Sequence, residues 1–260
     1  MELGLKGRTA LVTGGSAGIG YAVAEEFARE GVNLHLASRT KADLEKVKAD
    51  LEKQYGVAVT IHAVDLSDRQ KRDALAHECA GVDILVNNAG AVPGGDIFDV
   101  DEDTWRATWE LKQFGYVGIT RIVYKEMCRR RRGVIVNIVG TGGIVTSADY
   151  ICGGLNNRAL IQFTYSLGGA SVRYGVRVCG VNPGATETRR LKGLRKQRED
   201  KMKDPEAFRR ELFAKYAYGR PAHAHEISGM VAFLASDRAS YISGTMMTVD
   251  GGAVARGGTL

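Results

Sequence analysis

Short apolar runs alternate with amphipathic stretches along nearly the whole chain. The runs Ala10–Val12, Asn33–Ala37, Val57–Val64, Asp83–Asn87, Gly133–Val139, Val176–Val181 and Thr245–Val249 read as seven strands. Between them, apolar residues recur at three- and four-residue spacing. That period predicts helices near Ile19–Glu30, Lys41–Tyr55, Asp68–Cys79, Glu102–Arg130, Asn157–Tyr174 and His225–Ala235. Strands apolar throughout, rather than alternating, belong to a parallel sheet covered on both faces. With right-handed crossovers the expectation is an α/β, doubly wound parallel sheet of about seven strands with helices on both faces. No linker or internal repeat divides the chain, so one domain over 1–260 is expected. The charged stretch Thr188–Arg220 breaks the alternation. It is expected to pass as a lid over the carboxyl edge of the sheet, where ligands bind in such folds.

The turn after the first strand carries candidate chemistry. Thr13-Gly14-Gly15-Ser16-Ala17-Gly18-Ile19-Gly20 joins an apolar strand to a helix start. Glycines let the backbone approach a ligand, and the free N–H groups of a helix N-terminus favour a pyrophosphate.

Composition narrows the function classes. Of 260 residues, 44% are apolar, enough for a sizeable core. No run reaches the ~18–20 apolar residues of a membrane helix, and the N-terminus lacks a signal-peptide pattern. The four cysteines lack metal-ligand spacing and are expected to be free thiols in a reducing cytoplasm. The five histidines do not cluster in sequence, so no metal is expected, and His223 and His225 are placed on the surface. The formal net charge is +6. Arg129-Arg130-Arg131-Arg132 fits a solvated helix C-terminus. No nucleic-acid-binding module accompanies it, so no nucleic-acid partner is expected.

Further motifs fall in order along the chain: Asp65 after the third strand, Asn87-Asn88-Ala89-Gly90 after the fourth, Asn182-Pro183-Gly184-Ala185-Thr186-Glu187-Thr188 after the sixth, and Val249-Asp250-Gly251-Gly252 near the end. In this order and spacing the set resembles the short-chain dehydrogenase/reductase family over essentially the whole chain. The resemblance implies a Rossmann-type fold, a nicotinamide cofactor, a small-molecule carbonyl or alcohol substrate, and commonly a homotetramer, with a dimer also possible. By the same resemblance Gly14, Ser16, Ala17, Gly18, Ile19 and Gly20 would line the pyrophosphate and ribose. Asp65 and Leu66 would meet the adenine, and Asn88, Ala89 and Gly90 would pass under the cofactor. Pro183, Gly184, Thr186 and Thr188 would hold the carboxamide and a phosphate. Asn88 also has a purely structural role open to it, bonding neighbouring backbone.

Cofactor choice follows from charge. An acid at the end of the second strand would accept from the adenosine ribose and repel a 2′-phosphate. This strand ends Leu36-Ala37-Ser38-Arg39: Ser38 stands where the acid would be, and Arg39 can grip a phosphate bidentately. NADP(H) is therefore expected over NAD(H).

The catalytic pattern of the family is altered. It normally joins a serine, a tyrosine, a lysine four residues later, and an asparagine on the preceding long helix. Here the serine position is Gly140, followed by Thr141. Counting back from Asn157-Arg158-Ala159, Asn157 takes the lysine position and Gly153 the tyrosine position, with Tyr150 three residues early. The asparagine position holds Lys112, so Lys112 and Asn157 look like an exchanged pair. Tyr150 is the candidate proton donor and Thr141 the candidate contact to the substrate oxygen. A phenol has a pKa of about 10. Lys112 would assist it if its ammonium came within ~4–6 Å. Tyr150 and Asn157 lie about 10 Å apart along a continuous helix, so Gly153-Gly154 is expected to break the helix and fold Tyr150 back. The basic lid residues Arg189, Arg190, Lys192, Arg195, Lys196, Lys201, Lys203, Arg209 and Arg210 fit an anionic substrate or, with the nearby acids, solvated helices. Two alternatives remain at this stage: a cofactor-binding protein without dehydrogenase chemistry, and a lyase or isomerase on the same scaffold.

Overall fold

The computed structural model describes residues 2–200 and 202–257. All seven expected runs are strands of one parallel sheet: β1 (Thr9–Thr13), β2 (Asn33–Ser38), β3 (Val59–Ala63), β4 (Ile84–Asn87), β5 (Gly133–Ile138), β6 (Val176–Pro183) and β7 (Met246–Val249). Their order is β3-β2-β1-β4-β5-β6-β7. The order reverses between β1 and β4, which places the glycine turn and the segment after β4 side by side at the carboxyl edge. Strands β1, β4 and β5 are buried almost throughout, which is why their sequences do not alternate.

Helices α1 (Gly18–Arg29), α2 (Lys41–Tyr55), α3 (Arg69–Glu78), α5 (Gly115–Arg130), α6 (Ile151–Ser171) and α9 (Ala224–Ala235) cover the two faces. One apolar cluster joins α1, α2 and α9 to the sheet, around Phe27, Leu36, Leu44 and Val231. The other joins α3 and α5 to the opposite face, around Leu75, Leu85, Ile119 and Met127. The Arg129–Arg132 run ends α5 and is tied down there. Arg132 pairs with Asp83 at 2.7 Å, Arg129 with Glu126, and Arg130 donates to Val82 O. No helix among the described residues is long and apolar enough to cross a membrane.

Three local expectations need correction. The helix expected over Glu102–Arg130 is α4 (Glu102–Trp109), then a π-helical turn over Glu110–Phe114, then α5. The helix expected to begin at Asn157 begins at Ile151 and runs unbroken through Gly153-Gly154, since its flank on the sheet outweighs the weak helix propensity of two glycines. The charged excursion contains two helices, α7 (Arg189–Glu199) and α8 (Pro205–Lys215). Asp204 caps α8 by accepting from Ala207 N, with Pro205 at its first position.

A buried polar chain crosses the middle of the molecule. Asn87 and Asn137 face each other in register on β4 and β5, and Asn87 Nδ2 donates to Asn137 Oδ1 at 2.9 Å and to Thr120 Oγ1 on α5 at 3.0 Å. Asn137 Nδ2 donates to Thr164 Oγ1 on α6 at 2.9 Å, and that hydroxyl donates to Leu160 O. All four side chains are buried. Removing one amide strands its partners without water. Asn137→Ala is expected to destabilise the fold by about 2–3 kcal/mol. In urea unfolding this appears as a lower midpoint at unchanged slope.

Candidate active site

The site is built from the turns at the carboxyl ends of the strands. After β1 the glycine turn closes on itself. Gly14 (φ +68°) has no room for a Cβ, which would stand 2.8 Å from Asn88 Nδ2, and a Cβ at Gly20 would stand 2.1 Å from Gly14 O. The brace is Asn88: its Nδ2 donates to Thr13 O at 2.9 Å, and the backbone N–H groups of Asn88 and Ala89 both donate to Thr13 Oγ1. The segment after β4 thereby holds the turn after β1. Helix α1 begins at Gly18 with Ala17 as its N-cap and no capping side chain, so its first N–H groups have no side-chain acceptor. Ser16 precedes Ala17 in the turn, while Ile19 turns inward and packs on the apolar cluster beneath α1.

At the far end of this edge, Ser38 closes β2 and its Oγ is buried without a partner. Arg39 is exposed and makes no hydrogen bond or ion pair among the described residues. Asp65 accepts from Ser67 N and Oγ at 3.0 and 2.7 Å. Those bonds, and the Arg39 charge more weakly, hold its carboxyl below the usual range. Leu66 is buried in the α3 and α5 cluster.

After β6, Pro183 ends the strand, and Gly184 N donates to Val249 O on β7 at 2.9 Å. Thr186 is buried and donates to Gly184 O. Thr188 caps α7 by accepting from Leu191 N at 3.1 Å. Its methyl group lies 3.2 Å from where a Cβ on Gly18 would be, so the entry to α7 abuts the glycine turn.

The candidate residues Lys112, Thr141, Tyr150 and Asn157 lie around the carboxyl ends of β4 and β5 and the start of α6. Lys112 lies on the π-helical turn and is buried, not on an exposed helix face. Its stem runs over Gly90, where a Cβ would stand 3.0 Å from Lys112 Cδ. Its Nζ donates to Asn157 Oδ1 at 2.6 Å and to Val139 O at 3.0 Å. Lys112 and Asn157 are thus bonded to each other. Burial, and less so the neighbouring Arg190 charge, push Lys112 down to about 7. Asn157 Nδ2 faces Gly140, where a Cβ would stand 3.3 Å away. Thr141, next in the chain, is buried at the start of a short 3₁₀ turn, and its hydroxyl has no hydrogen-bond partner among the described residues.

Tyr150 takes a position the sequence only half anticipates. It is the N-cap of α6, outside the helix, with φ −147° and ψ 37°. Its ring lies over the first turn: a Cβ on Gly153 would stand 2.1 Å from Tyr150 Cζ. The phenol therefore reaches across from residue 150 into the space a side chain at 153 would fill. No break in the helix is needed, only the missing side chain. Val92, Val100, Cys152, Trp105 and Trp109 pack around it. Burial raises the phenol pKa, and the Arg190 guanidinium beside it opposes that rise. The cation at the phenol is thus Arg190 from the first turn of α7. Lys112, expected there, is engaged with Asn157 and Val139. Arg190 also donates to Gly90 O and Val92 O, so α7 is latched to the segment after β4.

Three of the other basic residues of this stretch are paired with acids. Arg209 pairs bidentately with Glu199 at 3.0 and 2.9 Å, Arg195 stands 3.7 Å from Glu199, and Lys192 stands 3.2 Å from Glu187. Lys201 lies outside the described residues. Nothing in the sequence distinguishes Arg190 from Arg189 beside it; only the direction of α7 does.

The expectation that the histidines and cysteines stay apart is overturned elsewhere. His35 and His62 project from the same face of neighbouring strands β2 and β3, and with Cys79 their ligand atoms lie within 4.8 Å of one another. Spacings of 27 and 17 residues hid this, because only the strand register joins them.

Comparison with known proteins agrees with this architecture. A family model described as "short chain dehydrogenase" matches residues 8–199. Oxidoreductase UcpA of Salmonella typhimurium is 34% identical over 252 residues, covering 95% of each chain. Meso-2,3-butanediol dehydrogenase of Serratia marcescens is 30% identical over 257 residues, covering 96% of each. Among solved structures, L-sorbose reductase from Gluconobacter frateurii, complexed with NADPH and L-sorbose, superposes with a TM-score of 0.89 at 30% identity. That match covers 96% of this chain and 98% of the other. With its glycine turn, its strand order and this set of relatives, the chain belongs to the short-chain dehydrogenase/reductase family of oxidoreductases.

Proposed function

We propose that the protein is an NADP(H)-dependent oxidoreductase that interconverts a carbonyl compound and a secondary alcohol. The observation that carries this reading is the Tyr150 phenol, folded over Gly153 one helical turn before Asn157, which is bonded to Lys112. The residues present fit the cofactor. The turn at Gly14, Gly18 and Gly20 is closed by backbone with no side chains in the way, and the α1 N-terminus lacks a capping side chain. Ser38 and Arg39 present an unpartnered hydroxyl and an unpaired guanidinium where an acid would repel a 2′-phosphate. NADPH in the L-sorbose reductase complex supports the same choice.

In this reading the glycine turn, Asp65, Leu66, Asn88, Ala89, Gly90, Pro183, Gly184, Thr186 and Thr188 hold the nicotinamide dinucleotide. When bound, it supplies the hydride acceptor or donor. Tyr150 Oη gives a proton to the substrate oxygen during reduction and takes one during oxidation. Arg190 offsets the phenolate charge. Lys112, titrating near neutrality, orients the Asn157 amide by donating to its Oδ1, and the free Thr141 hydroxyl meets the substrate oxygen. The walls at Val92, Trp105 and Trp109 suit an apolar substrate body, while an anionic group would compete for Arg190. We further propose a two-fold assembly, up to a tetramer, as is common in the family.

The direct test incubates the protein with NADPH and a panel of carbonyl compounds while following nicotinamide absorbance. Cofactor binding without turnover on any of them would favour a binding protein without hydride chemistry. Tyr150→Phe and Lys112→Met are each expected to lower kcat by about 10² or more. Lys112 is charged below about 7 and neutral above it. The wild-type kcat/KM for reduction should therefore fall as pH rises through that region, and Lys112→Met should lose that limb.

Arg39→Gln is expected to cut the preference for NADPH over NADH about tenfold or more, the loss of one charge-assisted phosphate contact, read from the two dissociation constants. Gly153→Ala should displace the Tyr150 ring. Expected is a kcat loss approaching that of Tyr150→Phe, with the NADPH dissociation constant within about threefold of wild type, since a clash confined to the ring leaves the nucleotide turns in place.

A further inference from the structure

A second cluster of chemically capable side chains lies away from the catalytic groups. His35 on β2 and His62 on β3 share one face of the sheet, because Ala37 pairs with His62 and side chains alternate with period two. Cys79, the C-cap of α3, closes over them. His35 Nδ1 stands 3.0 Å from His62 Nε2, and that same nitrogen stands 3.7 Å from Cys79 Sγ. In a tetrahedral zinc site, bonds of about 2.0–2.1 Å to nitrogen and about 2.3 Å to sulfur put ligand atoms about 3.3–3.6 Å apart. Those two edges already match to within a few tenths of an ångström, and all three ligand atoms lie within 4.8 Å of one another.

The outer side of the ring fits too. Glu78 Oε2 stands 3.7 Å from His62 Nδ1, the nitrogen pointing away from the other two ligand atoms. A ligating histidine ordinarily turns its second nitrogen to a carboxylate, which fixes the tautomer and raises ligand basicity. Cys79 is buried and His62 nearly so, whereas the Glu78 side chain is 63% exposed. The metal-facing atoms are thus sheltered while the supporting carboxylate stays in water.

We propose that His35 Nδ1, His62 Nε2 and Cys79 Sγ form a binding site for a borderline-soft divalent cation, zinc foremost, with Glu78 orienting His62 and a water completing the shell. Binding replaces the hydrogen bond between the imidazoles and releases the Cys79 thiol proton to solvent as the sulfur–metal bond forms. Nothing is oxidised or reduced. The bound ion would tie β2, β3 and α3 together below the turns that carry Ser38 and Asp65.

The test uses the full chain, stripped with a chelator and kept reduced. Titration with Co²⁺ is expected to saturate at one equivalent with a thiolate-to-cobalt charge-transfer band, displaced by Zn²⁺. At a hundredfold excess over Kd, Zn²⁺ should raise Tm by about 5 °C or more. Cys79→Ser should abolish the band, and His62→Gln should weaken binding at least tenfold. Glu78→Gln, an exposed and structurally mild change, should weaken it about tenfold. The stacked pair His223 and His225 is the built-in control, with ring centroids 5.4 Å apart at the start of α9. His223→Ala should leave binding unchanged. Wild-type protein giving no charge-transfer band, or binding that survives His62→Gln and disappears with His223→Ala, would overturn the proposal.

Discussion

The polar chain through Asn87 and Asn137 is the constraint on which the site rests. Two amides facing each other across β4 and β5 are costly to bury unless every donor finds an acceptor. The partners they find are Thr120 on α5 and Thr164 on α6. The chain therefore fixes both helices against the two strands whose carboxyl ends frame the site. Lys112, one π-helical turn before α5, and Asn157, two turns into α6, meet at 2.6 Å because those helices are held in register. Apolar packing alone tolerates slippage of a helix along a sheet; directed hydrogen bonds between buried groups tolerate very little.

The candidate residues around Gly140 and Gly153 fit together as one arrangement. Gly153 has no side chain, and the Tyr150 ring fills that space from outside the helix. Gly140 has no side chain, and the Asn157 amide faces it. Lys112 reaches Asn157 from the opposite helix. Each glycine is matched by a larger neighbour that uses the room, so the cavity is rearranged rather than emptied. A positive charge also reaches the phenol, but it comes from Arg190 on α7. Because that side chain also donates to Gly90 O and Val92 O, the charge at the phenol depends on where α7 lies. The surroundings of the phenol and the position of α7 are coupled through one guanidinium.

The same edge of the sheet treats its two ends differently. Near β5, Lys112 is bonded to Asn157 and Asn137 to Thr164, all four of them buried. Near β2, Ser38 Oγ lacks a partner and Arg39 stands unpaired in water. At the first end burial lowers the pKa of the Lys112 amine; at the second the Arg39 charge is free to be neutralised by an incoming anion.

Much of this was legible in the chain. Continuous apolar runs specify a buried parallel sheet, since no other arrangement covers both faces of such strands, and all seven strands follow. The glycine turn was readable because positive φ and close approach at Gly14 and Gly18 admit little else. The spacing singled out Lys112 and Asn157, which are hydrogen-bonded to each other, and Tyr150 as the nearest phenol. Four features were not: the helix running on through Gly153-Gly154, the turn of Arg190 rather than Arg189 toward the phenol, the π-helical turn beneath Lys112, and the meeting of His35, His62 and Cys79. Sequence determined what depends on local period and on backbone conformations few residues can adopt. Tertiary structure decided what depends on strand register and on the angle at which one helix lies on another, because those bring together residues whose separation along the chain carries no trace of the contact.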